Sequence, residues 1–470
     1  MKKDVLRKLP SVDELMLAGE MRELAAKYNR NIVVNAVRVV LSSLRKEIIE
    51  TEIVTDEKTL SIEAISELVV SRFQEQFTAS LRKAVNATGI ILHTGLGRAV
   101  LSCEAIDAVD EVARGYCTLA TGMDTGRRGH RDVHLNELLC TLTGAEAATV
   151  VNNNAAATML ILNTLAKGRE VIVSRGQLVE IGGSFRMPEV METSGAILRE
   201  VGTTNKTHLK DYIDAVNENT GAILRVHQSN YRIVGFTGEP GIGELVKVAK
   251  EYNLPVIDDL GSGALADLQE YGLETEPMAQ DSIEAGVDAA CFSGDKLIGG
   301  PQAGVIVGKT PTIEKIRMNP LARAFRVGKM TIAGMEATLK LFLNREKLDR
   351  EHPFYRMLKL SPEKLEKRAG KIADTLRDSF AAKADISVAD GVSRVGSGSV
   401  PTETIPTKLL SVRPVVMSAD SLAKRLRYNE PPVFARVYRE KVLFDFRTIQ
   451  PEEDVLVQKA VTDILRYRKA

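Results

Sequence analysis

Ser293-Gly294-Asp295-Lys296-Leu297-Ile298-Gly299-Gly300-Pro301-Gln302-Ala303-Gly304 sets a lysine just past the apolar run Ala289–Ser293, then a glycine-rich turn that leads into a second apolar run at 304–307. A lysine so placed stands at the mouth of a crevice rather than in open solvent. Partial burial lowers a lysine pKa and leaves the neutral amine that forms a Schiff base with a carbonyl. A solvated loop lysine is the plain alternative. Upstream, further short apolar runs at 148–151, 171–174, 196–201, 222–227 and 255–258 alternate with helical stretches. Strands that are nearly all apolar and separated by helices predict parallel pairing with both faces covered. This is a doubly wound α/β domain, with its ligand crevice at the carboxyl ends of the strands.

Two other strand ends carry chemistry. Val150-Val151-Asn152-Asn153-Asn154-Ala155-Ala156-Ala157 passes from strand into helix. Small residues there let a phosphate reach free N–H groups at the positive end of the helix dipole, which makes Asn153, Asn154 and Ala155 a candidate phosphate cup. Val256-Ile257-Asp258-Asp259-Leu260-Gly261-Ser262-Gly263 ends an apolar strand in carboxylates. Asp258 or Asp259 could pair with a protonated pyridine nitrogen, and a turn-capping aspartate is the alternative. The order of phosphate cup, acid and lysine suggests the large domain of the type I (aspartate-aminotransferase-like) enzymes, with pyridoxal 5'-phosphate as cofactor. His227 ends the 222–227 run and points toward the same crevice, either against the cofactor or as a satisfied structural histidine; His93 has the same two readings.

The 470 residues are too many for one hydrophobic core, so two or three domains are expected. Residues 1–83 read as a helical domain. Ser11-Val12-Asp13-Glu14 fits a capping box, and Ile62, Ile65, Val69 and Phe73 recur at helical steps. No acid occurs between Glu23 and Glu47, while Lys27, Arg30, Arg38 and Arg45 are spaced to share one helical face; a merely solvated face is the plain reading. Residues 84–330 form the large domain and 331–470 a smaller α+β domain. In the latter, Ser361-Pro362 opens a helix, the runs 433–438 and 442–446 make a hairpin, and a last helix starts near Pro451.

Composition narrows the class further. Hydrophobic residues at 44 % and charged residues at 27 % are average for globular chains and exclude a disordered or collagen-like polypeptide. No apolar run approaches membrane-span length, and the basic start lacks the apolar core of a signal peptide. The 4 cysteines show no CxxC spacing, and no His, Cys, Asp or Glu pair has metal-ligand spacing, so no metal is expected. The chain reads as cytoplasmic. A net charge of +1 predicts no nucleic-acid partner by itself, so any basic surface must be local.

Longer motifs carry a resemblance. Val85-Asn86-Ala87-Thr88-Gly89 through Gly95-Leu96-Gly97-Arg98, Ile181-Gly182-Gly183-Ser184-Phe185-Arg186, Val201-Gly202-Thr203-Thr204-Asn205 and the lysine turn resemble the bacterial selenocysteine synthases, the L-seryl-tRNA(Sec) selenium transferases. The likeness extends from Leu9-Pro10-Ser11-Val12-Asp13 to Pro401-Thr402-Glu403-Thr404-Ile405-Pro406. It implies that Lys296 carries the cofactor, that the N-terminal domain grips seryl-tRNA(Sec), and that the chain forms a homo-oligomeric ring of dimers, a decamer. It also implies that Arg98, Arg323 and Arg326 hold selenophosphate, an anion suited to bidentate guanidinium binding. Without the likeness these arginines would read as surface ion pairs. Gly126-Arg127-Arg128-Gly129-His130-Arg131 could meet tRNA, donor or a neighbouring subunit.

The expected reaction is β-replacement on an aminoacyl ester. The seryl group is bound as an imine, its α-proton is moved by Lys296, the β-hydroxyl is lost and selenium is added. Asp295 is expected to aid proton movement or orient the donor. A small-molecule lyase on the same fold would be expected to lack the N-terminal module. A non-catalytic RNA-binding scaffold would have no use for the lysine, cup and aspartate together.

Overall fold

Ser11 and Glu14 form the expected capping box at the start of the helix Val12–Met16. The Ser11 Oγ accepts from the Glu14 N–H at 3.2 Å, and the Glu14 carboxylate accepts from the Ser11 N–H at 2.7 Å. The computed structural model describes residues 2–50, 60–77, 79–182 and 185–466, and these fall into two compact units, Met1–Lys83 and Ala84–Ala470. In the first unit the helices Gly19–Lys27, Arg30–Glu50 and Ile62–Phe77 bury one stripe each, including Met21, Val37, Leu41, Ile65, Val69 and Phe73. The expected four-residue basic face is corrected here. Tyr28 is extended (φ −127°, ψ 163°), so Lys27 ends one helix and Arg30 begins another. Arg30, Arg38 and Arg45 stay on one exposed helix at steps of about two turns each.

The second unit opens with β1 (Val85–Ala87), β2 (Ala147–Val151), β3 (Glu170–Ser174) and the short pair β4 (Glu180–Ile181) and β5 (Phe185–Arg186). It continues with β6 (Ile197–Val201), β7 (Thr220–Val226), β8 (Val256–Gly261), β9 (Ala289–Ser293) and β10 (Gly304–Gly308). Last come β11 (Ala384–Ser393), β12 (Ile405–Pro414), β13 (Val433–Tyr438) and β14 (Lys441–Asp445).

Seven strands build the main sheet in the order β2-β10-β9-β8-β7-β3-β6. Strands β2, β8, β9 and β10 are buried along their whole length, as both-face coverage by helices requires. All pairings are parallel except those of β10, which runs antiparallel to both β9 and β2. The wholly parallel expectation is thereby corrected. The lysine turn that joins β9 to β10 is too short for a parallel crossover, which takes a dozen or more residues, so the chain doubles back.

The second sheet has the order β1-β13-β14-β12-β11, with the helix Pro362–Phe380 burying Leu365, Ala369, Ile372 and Leu376 in its core. Strand β1, read from sequence as part of the large domain, pairs instead with β13 in this sheet. The β13–β14 turn is tighter than the three residues expected. Tyr438 already pairs with Lys441, and Arg439 and Glu440 alone turn the chain at φ 47° and 60°.

Asp445 ties the two ends of this unit together. Its carboxylate accepts from Ser393 Oγ (2.8 Å), Thr407 Oγ1 (2.8 Å) and the Arg447 N–H (3.1 Å). Gly89 lies against it at φ +73°, and a Cβ there would stand 2.0 Å from Asp445 Oδ2. Gly89→Ala should therefore lower stability by roughly 2–4 kcal/mol, from left-handed strain plus a displaced buried carboxylate. Urea unfolding of the variant against wild type checks this.

Candidate active site

The carboxyl ends of β2, β7, β8 and β9 surround a cavity of about 290 Å³. It is lined by Asn153, Asn154, Ala155, His227, Asp259 and Lys296, with Arg98 and Asp295 at its side. Asn153 N-caps the helix Asn154–Ala166, its Oδ1 accepting from the Ala156 N–H at 2.9 Å. The first N–H groups of that helix have no intrahelical acceptor and face an anion-binding position. Gly304 lets β10 come close here, since a Cβ on it would stand 2.1 Å from the Asn153 carbonyl oxygen.

The two neighbouring aspartates separate completely. Asp258 turns away from the cavity; Arg225 Nε and Nη2 grip it at 2.7 and 2.6 Å, and Ser282 Oγ donates to it at 2.6 Å. Adjacent strand residues face opposite sides of a sheet, so only one of the pair can serve the cavity. Asp259 is that residue, and Asp258 is corrected to a structural ion pair. Asp259 accepts from Asn154 Nδ2 (2.8 Å), Thr158 Oγ1 (2.8 Å) and the Gly261 N–H (3.1 Å). Burial pushes its pKa up, while these three donors and Lys296 pull it down.

Lys296 is 6 % exposed. Burial lowers its pKa, repulsion from Arg98 lowers it further, and Asp259, Asp295 and Glu276 oppose the shift. Arg98 sits in the left-handed region at φ 62° after Gly97, and its Nη1 donates to Asp295 Oδ2 at 2.7 Å. The backbone N–H of His227 donates to the Asp259 carbonyl at 2.8 Å, and its Nε2 stands 3.4 Å from Glu276 Oε1. His93 does not line the cavity; it stands at the N-terminal position of the turn Thr94–Leu96, with no capping hydrogen bond from its side chain. Among the described residues, no group of three or more His, Cys, Asp or Glu is placed to hold a metal ion.

Thr158, Ser229 and Glu276 are site residues that the sequence did not single out. Thr158 follows Asn154 by four residues on one helix, so its position under Asp259 was open to helical spacing. Ser229 and Glu276 come from irregular segments and had no such signal.

Arg323 and Arg326 lie elsewhere. They line a second cavity, of about 410 Å³, together with Arg128, Arg131 and Arg317. It shares no lining residue with the first, so within one chain the three expected donor-binding arginines do not converge. The 126–131 turn belongs to this second cavity, where Arg131 Nη1 donates to the Val327 carbonyl at 2.8 Å. Burial and repulsion from Arg326 and Arg128 lower the Arg131 pKa, the mark of crowded positive charge.

The first cavity fits pyridoxal phosphate. It offers a helix N-terminus for the phosphate, a buried carboxylate for the ring nitrogen and, for the aldehyde, a buried amine whose pKa is lowered. The buried Asn154 Oδ1 and Ser229 Oγ at its wall have no protein partner, as expected of groups that face a polar ligand.

Known proteins agree. A family model described as L-seryl-tRNA selenium transferase matches residues 84–450, and one described as selenocysteine synthase N terminal matches residues 6–45. The chain belongs to this family. It is 48 % identical over 451 residues to the L-seryl-tRNA(Sec) selenium transferase of Carboxydothermus hydrogenoformans, covering 96 % of this chain and 95 % of that one. The corresponding protein of Alkaliphilus metalliredigens is 46 % identical over 467 residues, or 98 % and 99 % of the two chains. The structure of a D-glucosaminate-6-phosphate ammonia-lyase superposes with a TM-score of 0.56 at 20 % identity, covering 84 % of this chain and 98 % of that one. The family, the enzyme class and the α/β fold class read from the sequence are borne out.

Asp259→Asn and Asp258→Asn should behave differently. Replacing the cavity-facing carboxylate should cut turnover on the order of a hundred- to a thousandfold. Replacing Asp258 should cost roughly 1.5–3 kcal/mol of stability through the charged hydrogen bonds to Arg225 and leave the cofactor absorbance in place. Steady-state rates, absorbance spectra and urea unfolding of both variants check this.

Proposed function

We propose that the protein converts L-seryl-tRNA(Sec) to selenocysteinyl-tRNA(Sec), with selenophosphate as donor and pyridoxal 5'-phosphate as cofactor, in the bacterial cytoplasm. The observation that carries this reading is the convergence of Lys296, Asp259 and the helix start at Asn154 on one cavity in a chain of this family. When bound, pyridoxal phosphate supplies a carbonyl that captures the seryl amine and an electron sink that acidifies the seryl α-carbon.

The residues around it have separable tasks. Asn153, Asn154 and Ala155 would hold the phosphate at the helix start, and Asp259 would accept a hydrogen bond from the protonated ring nitrogen. Asn154 and Thr158 keep that carboxylate oriented. Lys296 would anchor the cofactor and would take the proton from the seryl α-carbon; burial and Arg98 lower its pKa, which favours the free amine that this needs. The β-hydroxyl would leave as water with the proton taken from the α-carbon, selenium of the protonated donor would bond to the β-carbon while the donor's proton goes to the α-carbon, and water would cleave the P–Se bond to release phosphate. His227 lies beside the reacting group, and Asp295, paired with Arg98, directs the donor side.

Arg98 lends its free guanidinium edge to the donor anion. Arg323 and Arg326 add charge to the same anion only where a second copy brings its own 410 Å³ cavity to the lysine cavity, which agrees with assembly as a ring of dimers. The basic face of Arg30, Arg38 and Arg45 serves the tRNA.

Incubation with seryl-tRNA(Sec) and selenophosphate, followed by analysis of the esterified amino acid, tests the reading. Wild type should yield selenocysteine. Lys296→Ala should yield none and lose the absorbance band of the lysine-linked cofactor, with its melting temperature retained; selenocysteine from that variant would refute the assignment.

Removing Met1–Lys83, a compact unit with its own core, should abolish the salt-sensitive part of tRNA(Sec) binding while cofactor absorbance survives. Binding titrations at two salt concentrations, with the absorbance band as folding control, give the answer.

A further inference from the structure

The backbone that follows Lys296 is enclosed: Leu297, Ile298, Gly299 and Gly300 are all buried. Two of its carbonyls are held by side chains from outside the main sheet. His352 Nε2 lies 2.8 Å from the Ile298 carbonyl oxygen, and Tyr355 Oη donates to the Leu297 carbonyl at 3.1 Å. His352 precedes the helix Pro353–Leu358 and Tyr355 lies within it. A carbonyl only accepts, so Nε2 carries the ring proton and Nδ1 is the bare nitrogen. Burial holds the His352 pKa down to about 4, which keeps the ring neutral and in that one tautomer.

The fit is specific in shape as well. Gly299 has φ +69°, and a Cβ on it would lie 2.1 Å from His352 Cε1, so the imidazole occupies the room that a side chain would take. Phe342, His352 and Tyr355 stack edge-on at 5.0 to 5.7 Å, which restricts both hydrogen-bonding rings to one orientation. The far end of the same helix is gripped too. Arg447, 1 % exposed, donates to the carbonyls of Met357 (2.7 Å) and Leu360 (2.9 Å). Neither His352 nor Tyr355 lines the lysine cavity.

We propose that His352 and Tyr355 are positioning residues for Lys296: by holding the carbonyls of Ile298 and Leu297 they set the backbone from which the lysine reaches the cofactor. This rests on Lys296 being the cofactor lysine. The aim of the amine is then decided by a helix anchored through Arg447 to the second sheet, and not by the cavity alone.

The test uses the full chain with Tyr355→Phe, His352→Leu, His352→Gln and Lys296→Ala. Three quantities are read: the dissociation constant for pyridoxal phosphate, the position of its Lys296-dependent absorbance band, and the melting temperature without cofactor. Tyr355→Phe keeps the ring and removes one hydroxyl, so it should weaken cofactor binding about two- to tenfold, the range of one net hydrogen bond, and shift the band. His352→Leu should do the same, and His352→Gln, which keeps an N–H within reach of Ile298, should recover most of the loss. A role confined to stability would lower melting temperatures and leave band position and dissociation constant at wild-type values, and that result overturns the proposal. So does a Gln variant no better than Leu. Should His352→Leu fail to fold, Tyr355→Phe decides alone by the same two readings. A wild-type band that persists in Lys296→Ala would instead overturn the assignment of the lysine.

Discussion

Keeping a lysine side chain almost wholly out of water, between a guanidinium and several carboxylates, is the constraint around which the larger unit is organised. Burial lowers the Lys296 pKa and Arg98 pushes the same way, while Asp259, Asp295 and Glu276 oppose the shift. Such a balance needs fixed positions, because in a low-dielectric site the interaction between charges changes steeply with distance. The main sheet supplies them. Asp259 ends β8, Lys296 follows β9, and β10 returns antiparallel beside β9, which closes the glycine-rich turn under the amine. The glycines serve close approach: Gly304 to Asn153, and Gly299 to His352.

Charge is partitioned between the two cavities. The lysine cavity mixes cations and carboxylates and keeps Arg98 tied to Asp295. The second concentrates guanidinium groups, and burial together with repulsion from Arg326 and Arg128 lowers the Arg131 pKa. A cavity of that kind is costly to the isolated chain and is relieved by an anion or by acids from another surface.

Much of this was legible in sequence, for identifiable reasons. The central strands of the main sheet showed as short apolar runs, because burial on both faces leaves no polar alternation, whereas the edge strand β6 is largely exposed and carries Arg199 and Glu200. The capping box at Ser11 and Glu14 is a local device and was readable as such. The reversal of β10 was not read, although the brevity of the lysine turn contained it. Strand β1 was misplaced because three residues carry too little pattern to name a partner lying far along the chain. The basic stripe lost Lys27 because Tyr28 breaks the helix, which charge spacing alone does not register.

The sequence by itself determined which residue types stand at which strand ends, and so the lysine, the carboxylates and the helix start; these follow from short-range periodicity. Only the tertiary structure decided between Asp258 and Asp259, since that depends on which face of β8 meets the cavity and which meets Arg225. It also parted Arg98 from Arg323 and Arg326, and brought His352 and Tyr355 beneath Lys296. Contacts between residues distant along the chain, from 33 positions for Arg225 and Asp258 to 105 for Asn154 and Asp259, are made by packing, and no local pattern encodes which surfaces will meet.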